Sequence, residues 1–229
     1  MWKIFTGVVP AVALMSMAAC STPLLLEPPS VAPPAVVTPA ASGELPSLAG
    51  VLPTPTPNAA AGDVPTAAQQ ALLAQLPSRG PAPELTNDTW FNSAPLRLAD
   101  LRGKVVMVEF WTYGCINCQH VIPALQGWHA TYADDGLVIL GIHTPEFRYE
   151  AEPANVEAAL AQYGVTWPVA LDNDKTTWRA YANRYWPAMY LIDKAGNLRY
   201  LAIGEGQYAH TEAVIQALLA EAQRLDLPD

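Results

Sequence analysis

The sequence predicts an α/β fold, a mixed central sheet flanked by helices, within residues 84–229. Three observations carry this. Two runs of β-branched and apolar residues, 104–111 (KVVMVEFW) and 137–143 (LVILGIH), have the composition of strands buried on both faces. A segment of helical spacing, 116–133, separates them, so the strands pair in parallel with that helix as the crossover. Near the end, two further strand-like runs flank Asp193-Lys194-Ala195-Gly196-Asn197, a hairpin turn that adds antiparallel strands.

The elements follow in chain order. Residues 89–91 and 96–98 flank the turn signal Asn92-Ser93-Ala94-Pro95, which predicts a short N-terminal β-hairpin. In 116–133 the apolar residues Val121, Leu125, Trp128 and Tyr132 step by 4, 3 and 4, one face of a helix. Residues 153–163 open with Pro153 and stop at Gly164, the usual helix asymmetry. A short strand at 168–171 and a short helix at 175–183 come next. Residues 188–192 and 198–203 are the strands of the terminal hairpin. Residues 211–224 close the chain as a helix with Val214, Leu218, Ala222 and Leu225 on one face.

Composition divides the chain into three parts. Of its 229 residues, 21 are acidic and 12 basic, a net charge of −9, which argues against a nucleic-acid binder. Three cysteines are too few for a disulfide-dense scaffold. Residues 21–83 hold 14 of the 22 prolines and four charges, Glu27, Glu44, Asp63 and Arg79. Proline removes a backbone donor and fixes φ, so this stretch reads as a disordered, semi-extended tether. Residues 67–76 are its one patch suited to a transient helix. Residues 1–20 place Lys3 ahead of the uncharged run 4–19, the n-region and h-region of a secretory signal. Met17-Ala18-Ala19-Cys20 resembles a bacterial lipobox, with Met where Leu is usual; the resemblance implies cleavage before Cys20 and a lipid on its thiol. An uncleaved membrane helix is the alternative, since about 18 apolar residues suffice to span. Either way the rest of the chain belongs in the cell envelope, outside the cytoplasm and anchored to a membrane.

The chemistry is carried by Cys115-Ile116-Asn117-Cys118, between a buried strand and a helix. A thiol at a helix N-terminus faces unpaired N–H groups and the positive end of the dipole, which favours thiolate. The second cysteine follows one turn later, within disulfide reach. Cys115 is the exposed nucleophile and Cys118 the shielded resolving thiol of a pair that cycles between dithiol and disulfide. A static disulfide across so small a loop would stabilise little. Half a zinc site would lack a second CxxC or His pair at ligand spacing.

The string KVVMVEFWTYGCINCQHVIPAL resembles the core of the thioredoxin superfamily, and within it the TlpA-like thiol–disulfide oxidoreductases. WTYGCINC and GIHTPEF are similar to the thioredoxin-like domain of DipZ-type proteins. The resemblance covers about residues 84–224 and implies a thioredoxin-like fold. It implies that Trp186-Pro187 carries a cis-proline beside the active disulfide, with Trp186 lining the groove that docks a substrate peptide. It implies that Glu109 is a buried acid exchanging a proton with Cys118. Desolvation would raise such a carboxyl toward neutrality, although alternation in a strand buried on both faces leaves open whether Glu109 faces solvent or a lysine instead. Pro123 matches a helix kink, and Trp111 and Tyr113 form the rim of an apolar docking face. Gly114 departs from the tryptophan common before the first cysteine, leaving Cys115 more open. His143 binds or tunes together with Glu146, or simply fixes its loop. His120, His129 and His210 read as surface residues, and Glu150, Glu152 and Glu157 as a solvated helix face.

The implied function is a membrane-tethered thiol–disulfide oxidoreductase acting on protein thiols and disulfides through Cys115 and Cys118, with no cofactor beyond that pair. The family, and the absence of a basic residue between the cysteines, favour a reductase. Its electrons would come from a separate transmembrane thiol carrier. The alternative is a thioredoxin-like copper chaperone, in which His210 or His143 joins the soft thiolates. A peroxidase, with its distant resolving cysteine, fits a CxxC pair poorly.

Overall fold

The computed structural model describes residues 64–221; the expected signal, Cys20 and most of the tether lie outside the described residues. The sheet is built outward from β2 (Val105–Trp111), buried at every position as its uninterrupted apolar run predicts. On one side β2 pairs in parallel with β3 (Leu137–His143), and β3 with β4 (Val169–Leu171). On the other it pairs antiparallel with β5 (Ala188–Ile192), and β5 with β6 (Leu198–Ile203). With β1 (Trp90–Phe91) antiparallel to β4, the strand order is β1-β4-β3-β2-β5-β6. The crossover is α2 (Ile116–Tyr132), followed by α3 (Pro153–Tyr163), α4 (Thr176–Ala180) and α5 (Tyr208–Ala220). Among the described residues no helix is long and apolar enough to cross a membrane.

Alternation along β2 divides the core in two. Val105, Met107 and Trp111 join residues of α2, α3 and α5, including Cys118, Leu125, Leu160 and Leu218. Val106, Val108 and Phe110 join Leu85, Leu98 and Tyr181 on the opposite face. Glu109 has the parity of Met107 and Trp111, so the pleat turns it toward the face that holds Cys118. This decides what alternation in the sequence left open.

Two expectations are corrected. The N-terminal hairpin does not form, because each half of it has another partner. Trp90–Phe91 pairs with β4, and the Asn92 amide donates to the Val165 and Trp167 carbonyls at 3.0 Å each. The would-be second strand enters a 3-10 turn, Leu98–Leu101, whose first N–H groups, Leu98 and Ala99, donate to the Glu84 carboxylate at 2.6 and 3.1 Å.

The folded unit also starts ahead of the boundary at residue 84. Helix α1 (Ala67–Gln75) is closed by a capping box in which the Gln69 N–H donates to the Thr66 hydroxyl and the Thr66 N–H to the Gln69 side chain. It lies along α5, and Leu72, Leu73 and Leu76 pack on the core. The proline-rich stretch behind it still reaches the edge of β6. Arg79 N–H donates to the Leu198 carbonyl and Leu198 N–H to that of Gly80, both at 2.9 Å. Proline is tolerated at a sheet edge where its missing N–H would face away from the ladder, so proline density alone placed the boundary too late. Truncating the chain before residue 84 is expected to cost about 2–4 kcal/mol, from exposing the three leucines and the α5 face; urea unfolding of the two chains measures it.

Candidate active site

The turn 112–114 carries the chain from the end of β2 to the first residue of the site. Cys115 N–H donates to the Thr112 carbonyl at 3.2 Å, and Cys115 then caps α2, its Sγ accepting the Cys118 N–H at 3.4 Å. Cys115 is half-buried, Cys118 has no exposed surface, and both are free thiols. Burial pushes the Cys118 thiol far up; its hydrogen bond to Cys115 and the nearby Glu109 add to this, against a backbone bond at Thr112. Glu109 is raised to about 8 by burial, and its Oε1 has no hydrogen-bond partner. An acid and a thiol are thus held neutral together behind a half-buried cysteine.

The Trp186-Pro187 bond is cis. Pro187 is buried at the start of β5, where Ala188 pairs with Phe110 of β2. Trp186 is half-buried; its indole N–H donates to the Thr144 carbonyl at 3.0 Å, and its ring lies 4.3 Å from that of Trp178. Lys175 Nζ stands 5.1 Å over the Trp186 ring, a cation–π distance. Tyr113 is half-buried, stacked on His143, and its hydroxyl donates to the Tyr149 carbonyl at 3.2 Å.

Two sequence-based assignments change, those of Trp111 and Glu150, and for His143 the loop-fixing reading is the one that stands. Trp111 does not form a rim: it is 2 % exposed, inside the core and edge-on to the His143 ring. The last residue of a strand buried on both faces is still covered, whatever its nearness to the motif. His143 does not meet Glu146, which is exposed. It is buried, and its Nε2 accepts the Tyr113 N–H at 3.4 Å and faces the Thr112 hydroxyl at 3.3 Å. Burial lowers His143 to about 4, opposed by the negative Glu150. Glu150 leaves the solvated group altogether, being fully buried, while Glu152 and Glu157 remain exposed.

The remaining histidines do not join the cysteines. His120 pairs with Glu205 at 2.8 Å on the surface, His129 is half-buried against Trp167, and His210 is exposed against Tyr200. Among the described residues no three His, Cys, Asp or Glu side chains are arranged to hold a metal ion.

Sequence reasoning missed the surface around the motif. Ile116, Phe147, Tyr149 and Tyr185 are each more than half exposed, and Phe147 stacks on Tyr149 at 5.7 Å. Ile116 opens α2, Phe147 and Tyr149 follow the end of β3, and Tyr185 lies just ahead of β5. Exposed aromatic residues in loops have no periodicity to reveal them.

Comparison with known proteins agrees with this geometry. Residues 79–201 match the model of the AhpC/TSA family. Protein DipZ of Mycobacterium tuberculosis is 49 % identical over 154 residues, which make up 66 % of this chain and 22 % of DipZ. The chain therefore spans about a fifth of that relative's length. Thiol-disulfide oxidoreductase YkuV of Bacillus subtilis is 29 % identical over 63 % of this chain and 98 % of its own length. The crystal structure of the thioredoxin-like superfamily protein SPOA0173 superposes with a TM-score of 0.59 at 39 % identity, over 62 % of this chain and 98 % of that one. The thioredoxin-like fold expected from the sequence is the fold observed.

The buried carboxyl makes stability depend on pH. Glu109 is raised from 4.5 to about 8 in the folded state, so its contribution is complete below about pH 4.5 and is lost as pH rises through about 8. The reduced protein should lose a few kcal/mol, in order of magnitude, across that window, and Glu109→Gln should abolish most of the slope. Urea midpoints at both ends of the window test this.

Proposed function

The chain belongs to the AhpC/TSA family, and on that premise we propose that it is a thiol–disulfide oxidoreductase that reduces disulfides in protein substrates. The observation that carries this reading is the half-buried Cys115 capping α2, with buried Cys118 one turn on and buried Glu109 beside it. The thiolate of Cys115 attacks one sulfur of a substrate disulfide. That S–S bond breaks, a mixed disulfide forms, and the first substrate sulfur leaves as a thiolate and is protonated by solvent. Glu109 first releases its own proton to solvent, and its carboxylate then takes the Cys118 proton as Cys118 attacks Cys115 Sγ. The mixed disulfide breaks, the second substrate sulfur leaves and is protonated, and the Cys115–Cys118 disulfide is formed. Two electrons have passed from the protein dithiol to the substrate. A carboxyl near 8 suits this exchange, since it accepts and returns a proton close to neutrality. No group beyond the two thiols and this acid is required.

A protein substrate suits the surface. Trp186, Tyr185, Tyr113 and Ile116 offer large rigid contacts around Cys115, and the segment before Pro187 leaves backbone groups for an extended peptide. Reduction is the direction favoured by an uncharged Ile116-Asn117 between the cysteines. Re-reduction then needs a protein dithiol donor, which for a domain outside the cytoplasm is a transmembrane thiol carrier. Cys20 as a lipid anchor and residues 21–63 as spacer would hold the domain near that carrier.

Trapping tests the reading directly. Cys118→Ser should accumulate mixed disulfides between Cys115 and envelope proteins, seen as species cleaved by dithiothreitol and identified by mass spectrometry. If none accumulate while Cys115 is free to alkylate, the exchange reading fails. Glu109→Gln should slow resolution of a preformed mixed disulfide by about 100-fold, the usual scale of a lost general base; stopped-flow release of a labelled thiol reads it.

A further inference from the structure

Gly114 immediately precedes the nucleophile, and a Cβ at that position would collide with the Glu150 carboxylate. The glycine is therefore a requirement of packing rather than of backbone conformation. Glu150 comes from the 3-10 turn Arg148–Ala151 that follows β3, and it has no exposed surface. Its Oε2 accepts the Glu146 and Phe147 N–H groups at 2.7 and 2.9 Å, bonds short enough to fix the group. Its Oε1 has no hydrogen-bond partner and is the atom nearest the Gly114 Cβ position. The charge is felt on this turn: it opposes the effect of burial on His143 and adds to burial in raising Tyr113. Cys115 caps the positive N-terminus of α2, and the residue just before it packs on the Glu150 carboxylate.

We propose that Glu150 is a positioning residue for the charge state of Cys115: its carboxylate under Gly114 opposes the α2 dipole and keeps the Cys115–Cys118 couple strongly reducing. The disulfide form is neutral and the reduced form carries the thiolate, so a neighbouring anion destabilises only the reduced form. The dithiol then gives up its two electrons to a substrate disulfide more readily. Glu150 exchanges neither proton nor electron in the cycle. The inference rests on the reductase reading and supplies its electrostatic basis.

The other titratable groups on or against this turn are His143 from β3, Cys118 from α2, Tyr149 from the 3-10 turn and Tyr113 itself, with Glu109 of β2 near Cys118, and all are retained in the test. Glu150→Gln keeps an oxygen for the two N–H groups and removes only the charge. In the full reduced chain, site-resolved alkylation of Cys115 should reach half its maximal rate about one pH unit lower than in wild type. At a pH above both alkylation midpoints the equilibrium with a dithiol reference should shift about tenfold toward the reduced form, about 30 mV for this two-electron couple. An unmoved alkylation profile together with an unmoved equilibrium overturns the inference. Should Glu150→Gln not fold, Gly114→Ala displaces the same carboxylate and must shift both readouts in the same direction, or the inference fails. A wild-type potential as high as that of a strong oxidant overturns the reductase reading itself; a reducing wild type with an unmoved variant overturns only the role of Glu150.

Discussion

Every residue of β2 is buried, and the strand ends in the turn that carries Cys115. A strand with neighbours on both edges and packed side chains on both faces has one usable register, since a slip of one residue would exchange its two core faces. That register turns Glu109 toward the half of the core that includes Cys118. It also lays Phe110 opposite Ala188, which brings Pro187 to the same end of the sheet as the cysteines. The start of α2, the acid behind it and the cis-proline beside it are thus consequences of how one strand is buried.

Desolvation is the second thread. It raises both the Cys118 thiol and the Glu109 carboxyl, so neither is charged while the pair rests. It also lowers His143, whose neutral ring accepts the Tyr113 N–H and steadies the turn before the nucleophile. Glu109 and Glu150 are both buried carboxyls near the motif, yet they meet different surroundings. Glu109 faces apolar side chains with Oε1 unpaired, whereas Glu150 receives two backbone N–H bonds. Two identical groups can therefore serve as proton carrier and fixed charge, separated by what lines each site.

Where sequence reasoning erred, the missing information was three-dimensional. Trp111 was assigned to a rim by its nearness to Cys115, but a strand end covered on both faces does not become surface two residues early. Glu150 was grouped with Glu152 and Glu157 because acidic residues beside a helix start are usually solvated. Only the fold brings it beneath Gly114, 36 residues earlier in the chain. The absent aromatic before Cys115 was visible in the sequence, and its cause was not.

What the sequence determined by itself is what periodicity and local chemistry encode. The parallel pair and its crossover, the terminal hairpin and the CxxC pair at a helix start were all legible, with β3, α3, β5 and β6 placed to the residue. Each follows from spacing, capping or turn residues acting within about a dozen positions. The tertiary structure alone decided which face Glu109 takes, that α1 covers α5, that β1 pairs with β4, and that Glu150 lies under the active turn. These depend on which distant surfaces bury one another, and burial across the sheet leaves no period in the chain.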